Sequence, residues 1–149
     1  MDIRAKASGR ISKPVHEVFE AVADPAKLSG YFTTGGAQGR LVTGATVTWD
    51  FADFPGAFPV HVVEVVEDSR IVLRWGSAEG EGAGDTTVTI TFEPLEDGRT
   101  LVTIVETGFT GTQKGVDAAI GNTEGWTGML IAMKLYLEHG MNLREGFYK

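Results

Sequence analysis

The chain has 149 residues, with 13 Lys and Arg against 20 Asp and Glu for a formal charge of −7, three His and no Cys. The absence of cysteine excludes disulfides, thiolate nucleophiles and cysteine metal sites, and the acidic balance argues against nucleic acid, whose phosphates demand a basic surface. No apolar run nears the roughly 20 residues needed to cross a bilayer, and the opening MDIRAKASGR has no apolar signal segment, so a cytoplasmic protein without a membrane partner is expected.

In chain order, DIRAKASGRI alternates, with Ile3, Ala5, Ala7, Gly9 and Ile11 on one side, and predicts a first strand. Ser12 then caps a helix with Pro14 in its first turn and Val15, Val18, Phe19 and Val22 on its inner face. ADPAKLSGYF restarts the helix: Asp24 suits the cap, Pro25 the first helical position and Gly30 the end.

Strands follow. Val47, Trp49 and Phe51 alternate with Thr46, Thr48 and Asp50. HVVEVVE tolerates either register, and the expected one turns His61, Val63 and Val65 inward because the other buries Glu64. Ile71, Leu73 and Trp75 point inward in RIVLRW, as do Val88, Ile90 and Phe92 in TTVTITFE and Val102, Ile104 and Glu106 in LVTIVETGF. Glu67-Asp68-Ser69 and Glu96-Asp97-Gly98 read as hairpin turns. GSAEGEGAG reads as a flexible surface hairpin whose Glu79 and Glu81 would repel phosphate. GWTGMLIAMKLYLEHG, Gly125 to Gly140, reads as a long helix. Trp126, Met129, Leu130, Met133 and Leu137 form its core stripe, and Ile131, Ala132, Leu135 and Tyr136 widen the apolar face.

This order predicts an α+β domain spanning 1–149, a sheet with one wet face and one face covered by the long helix. ISKPVHEVFEAVADPAKLSGYF resembles the N-terminal signature of the START-like, or helix-grip, superfamily. RIVLRW, TLVTIVETGF and GWTGMLIAMKLYLE resemble the central strand, last strand and C-terminal helix of its group named after the activator of heat-shock-protein-ninety ATPase homologue. The pieces fall in family order over nearly the whole chain. The resemblance implies a helix-grip fold, a curved antiparallel sheet around the C-terminal helix, with a cavity between them that binds small hydrophobic molecules in many members. Tyr31 stands where the family often has Trp. The eukaryotic chaperone activators also carry a separate N-terminal domain for which this chain has no room, which counts against chaperone activation.

His16, His61 and His139 are scattered, without HExxH or a close His/carboxylate cluster, so no metal and no other cofactor is expected. There is no G-x-S-x-G elbow and no phosphate-binding GxxxxGK[ST] loop. Trp49, Phe51, Trp75, Phe92, Trp126, Met129 and Met133 point toward the space between sheet and helix, where they either fill the core or line an adaptable cavity. Tyr31, His61, Val63, Leu130 and Glu106 complete the expected lining. Glu106 is the sharpest residue: alternation carries its carboxyl inward unless a bulge at Thr107-Gly108 returns it to solvent. Buried, it would bind a ligand hydroxyl or carbonyl, or form a proton-transfer pair with His61.

Phe54 and Phe58 flank Pro55-Gly56 in an expected turn, as a lid, a homodimer contact or packing on the domain's own edge. Phe147 and Tyr148 are exposed unless they dock. The leading expectation is binding of a small hydrophobic or amphipathic molecule. A cyclase or dehydratase acting on a polyketide-like substrate comes second, and a chaperone-associated stress-response interaction module third.

Overall fold

Alternation along the strands resolves into one seven-stranded antiparallel sheet in the order β1-β7-β6-β5-β4-β3-β2. The computed structural model describes residues 1–149. Its elements run β1 (Ala5–Ile11), α1 (Val15–Ala23), α2 (Pro25–Leu28), β2 (Gly36–Gln38), β3 (Thr46–Phe51), β4 (Phe54–Val66), β5 (Arg70–Gly76), β6 (Asp85–Pro94), β7 (Thr100–Thr107) and α3 (Gln113–His139). The curved sheet, the long terminal helix and the two short helices after the first strand make up the helix-grip arrangement. No helix is long and apolar enough to cross a membrane.

One sheet face carries Ala5, Ala7, Val47, Trp49, Ile71, Leu73, Val88, Ile90, Val102 and Ile104, all buried in a single core with Trp126, Leu130 and Met133 of α3. Small side chains on β1 let α3 settle over that strand, where Lys134 Nζ donates to the Arg10 carbonyl at 3.0 Å. The wide apolar face of α3 is covered twice. The sheet takes one stripe, while Tyr31, next to α2, packs on Tyr136 (ring centroids 5.4 Å apart) and the segment after Gly140 takes the flank.

Four local expectations change. Ser12 caps nothing: Pro14 occupies the N-cap of α1 without a side-chain cap bond, and the Ser12 N–H donates to Glu138 Oε2 at 3.0 Å. Ser12 stands too far upstream to reach the first free helical N–H groups. In β4 both registers coexist. Val60 and Val62 are buried while His61 and Val63 face outward, and a bulge between Val62 and Glu64 then returns Val65 inward opposite Ile71. The extra residue leaves Glu64 on the outer side, paired with Arg70, so no carboxylate is buried there. The β3–β4 turn is made by Ala52-Asp53 between paired Phe51 and Phe54, and Pro55-Gly56 already belongs to β4. Finally, α3 begins at Gln113 and is about 40 Å long. Thr112 Oγ1 caps it by accepting from Gly115 N at 3.1 Å, and Gly140 closes it at φ 67°. The glycines at 115, 121 and 125 masked its first three turns in the sequence.

The short β2 was not expected. His16 is also less isolated than its spacing implied, because its Nδ1 lies 2.7 Å from Asp68 Oδ1 in the β4–β5 turn, with Glu67 beside them. The Asp68 hydrogen bond and charge raise the pKa of His16 above its ordinary value of about 6.5. A raised folded-state value means that this contact's contribution is fully present below pH 6.5 or so and fades as pH climbs through the folded pKa. In an NMR titration, Asp68→Asn should bring His16 back toward 6.5. A wild-type His16 that already titrates there would remove the contact.

Candidate functional site

Glu106 ends the inward-facing row of β7 and is completely buried. Its Oε1 accepts from Asn122 Nδ2 at 2.9 Å and Trp126 Nε1 at 2.8 Å, and its Oε2 from Trp75 Nε1 at 2.9 Å and Thr86 Oγ1 at 2.5 Å. Both oxygens are thereby filled, and each holds one indole N–H, a group that can only donate. Bonds to an ionised acceptor are the strong kind. The carboxylate thus ties β5, β6 and α3 to β7 at one point.

The anchored indoles of Trp75 and Trp126 stack with centroids 5.2 Å apart. From them an aromatic circuit runs through Phe32, Phe51 and Phe58, with successive centroids between 4.9 and 5.9 Å. Next to this wall the sheet divides. β4 pairs with β5 only from His61 onward, and its earlier residues stay with β3. The opening is a cleft of about 460 Å³ walled by Phe51, Phe58 and Trp75, with half-buried Asn122 inside and exposed His61 and Asp85 at the rim. A narrower cavity of about 130 Å³ continues from Phe51, Trp75 and Asn122 to Trp126, Phe32 and Arg144. Arg144 closes that end. Its guanidinium sits 4.4 Å from the Phe51 centroid and donates from Nε and Nη2 to Asp53 at 3.2 and 3.1 Å.

The rim is firm where a flexible hairpin was expected. Glu79 is buried and accepts from Thr110 N at 3.1 Å, Thr110 Oγ1 and Ser77 Oγ, tying the β5–β6 loop to the chain entering α3. These bonds, those from Thr110 foremost, hold its carboxyl below the usual carboxylate range.

Of the residues expected to line a cavity, the fold brings Phe51, His61 and Trp75 to the cleft and Trp126 to its narrower continuation, and sets Glu106 behind the wall. Trp49 is buried edge-on to Trp75. Leu130 and Met133 lie in the packed core, and Phe92 packs on Phe19 of α1. Tyr31 and Met129 sit on the flank of α3, where Tyr31 donates to the Ala21 carbonyl at 3.0 Å and burial pushes its pKa well up. Val63 is on the outer sheet face.

His61 and Glu106 do not form a pair. His61 Nδ1 is 3.1 Å from Thr46 Oγ1 at the rim, whereas both Glu106 oxygens are spent inside. Sequence reasoning missed Asn122, Thr86, Phe32, Asp53 and Arg144. Asn122 stands four residues before Trp126, so one helix face presents both, a signal open to any reading that starts α3 earlier. The Asp53–Arg144 pair spans 91 residues and has no local signature.

The family model described as activator of Hsp90 ATPase homolog 1-like protein matches residues 12–138. Among curated proteins, none matches the sequence. Solved structures do. Protein SSP2350 from Staphylococcus saprophyticus is 31% identical over 97% of this chain and 96% of its own, with a TM-score of 0.77. DynU16, from the dynemicin biosynthetic locus, is 26% identical over 94% of this chain and 49% of its own, so the chain spans about half its length, with a TM-score of 0.79. Aha1 from Colwellia psychrerythraea, solved as a dimer, is 18% identical over 94% of this chain and 99% of its own, with a TM-score of 0.79, a likeness of fold alone.

Proposed function

The chain belongs to the family of activator of Hsp90 ATPase homolog 1-like proteins, and from that premise we propose that residues 1–149 act as one START-like unit that binds a small hydrophobic or amphipathic molecule in the cleft between β4 and β5. One observation carries this reading: Glu106 accepts four hydrogen bonds that lock Trp75 and Trp126 before any ligand arrives. A wall ordered in advance spares the ligand that ordering cost. The cleft's volume of about 460 Å³ lies in the range of small-molecule sites. A flat apolar ring fits against Phe58 and Trp75. Asn122 donates through Nδ2 to Glu106 and keeps Oδ1 for a ligand hydroxyl or N–H. A neighbour from a biosynthetic locus suits a metabolite as ligand.

The cyclase or dehydratase reading draws less support. A general base needs a free oxygen facing substrate, and here all acceptor positions of Glu106 belong to the protein.

The test is a fluorescence titration with the neutral probe N-phenyl-1-naphthylamine. Ala78 lines the cleft on an exposed loop, so Ala78→Trp fills the site without touching the core. Its affinity for the probe should fall about tenfold or more, and Phe58→Ala should weaken binding as well. An undiminished affinity in folded Ala78→Trp protein would discard the cleft.

A further inference from the structure

A second cavity, of about 180 Å³, lies on the flank of α3, bounded by Tyr31, Met129, Ala132, Leu143 and Phe147. It exists because the C-terminal segment bridges α3 instead of collapsing on it. Arg144 is drawn across Phe51 to Asp53, and Tyr148 rests on Gly128, where an added Cβ would lie 2.5 Å from its hydroxyl, and beside Phe54, with centroids 6.2 Å apart. The span between these two anchors carries Phe147 across the chamber, while Leu143, just before it, packs against the core at the chamber's edge. Of the polar side chains in the lining, Tyr31 donates to Ala21 O and Arg144 to Asp53, which leaves the Tyr148 hydroxyl as a single polar group at the edge. A water placed here would lack the two to four polar partners it needs, and apolar cavities of roughly 150 Å³ stay dry and accept benzene or xenon. Half-exposed Ile131 and exposed Phe147 flank the mouth, so a guest has a way in.

We propose that this chamber is a second binding site, separate from the β4–β5 cleft, for a benzene-sized apolar ring or the end of an alkyl chain. Met129 is its adaptable wall, because a thioether side chain re-packs around guests of different outline. Ala132 sets its depth, since any longer side chain there projects into the void. The site does not depend on the cleft being occupied or even functional.

Benzene is the probe, read by NMR on full-length protein carrying ¹³C-methyl methionine. The four methionines, Met1, Met129, Met133 and Met141, report from different places, and only Met129 lines the chamber. Benzene should shift the Met129 methyl saturably and more than that of Met133, which lies in the packed core. Ala132→Leu should weaken the response about tenfold or more, while Ala78→Trp, which blocks only the cleft, should leave it intact. A wild-type Met129 methyl that benzene does not move overturns the proposal, whether or not Ala132→Leu folds. So does a response lost in Ala78→Trp and kept in Ala132→Leu, which would assign the guest to the cleft.

Discussion

Glu106→Gln is expected to lower the free energy of unfolding by about 2–3 kcal/mol, although it changes one oxygen to an amide. The wild-type carboxylate accepts from Trp126 and Asn122 on one oxygen and from Trp75 and Thr86 on the other. Glutamine keeps one carbonyl and sets an NH₂ against the remaining pair. Asn122 can flip its amide and Thr86 can rotate its hydroxyl to accept from that NH₂. An indole can do neither, and each oxygen holds one indole, so both orientations of the introduced amide leave a buried Trp N–H facing a donor. In urea the midpoint should fall with the slope unchanged, and the melting temperature should drop on the order of 10 °C. Tryptophan fluorescence should change as well, because Trp75 and Trp126 lose their common anchor. A variant within about 1 kcal/mol of wild type would show that the carboxylate does not organise this wall.

The second large effect is a sign reversal within one helix. Alanine is favoured over glycine by about 1 kcal/mol at ordinary helical positions. At Gly115, in the first turn of α3, an added Cβ would lie 1.9 Å from the Thr110 carbonyl oxygen, a backbone atom with little freedom to retreat. Thr110 is itself held by Glu79 through both its N–H and its hydroxyl. Gly115→Ala should therefore destabilise by about 2–3 kcal/mol, as overpacking does. Gly121→Ala meets nothing within 4 Å and should stabilise by about 0.5–1 kcal/mol. Parallel urea titrations give both signs. If both variants gained stability, the loop before α3 could not pass over Gly115.

The loop that makes Gly115 special also firms the rim of the cleft, because Glu79 reaches Thr110 from the β5–β6 hairpin. In the sequence that hairpin is a run of glycines and two acids, with nothing to say that one acid turns inward and the other does not. The same blindness applies to Arg144. A lone arginine in a terminal segment reads as a solvated charge, yet here it stacks on Phe51 and pairs with a buried carboxylate 91 positions away.

The inward row of Val102, Ile104 and Glu106, the matching rows of β3, β5 and β6, and the stripe of Trp126, Leu130 and Met133 were legible in the sequence. Side-chain direction repeats every two residues on a strand and about every 3.6 on a helix, so a face can be assigned from neighbours alone. The α+β class followed from those faces and their order, and the family from the resemblance of four segments to known signatures. Tertiary structure alone decided where β4 changes register, where it parts from β5 to open a cleft, which four donors meet Glu106, and which segment bridges the flank of α3. Each of these depends on contacts between residues remote along the chain, and local periodicity carries no information about which remote partner a side chain will find.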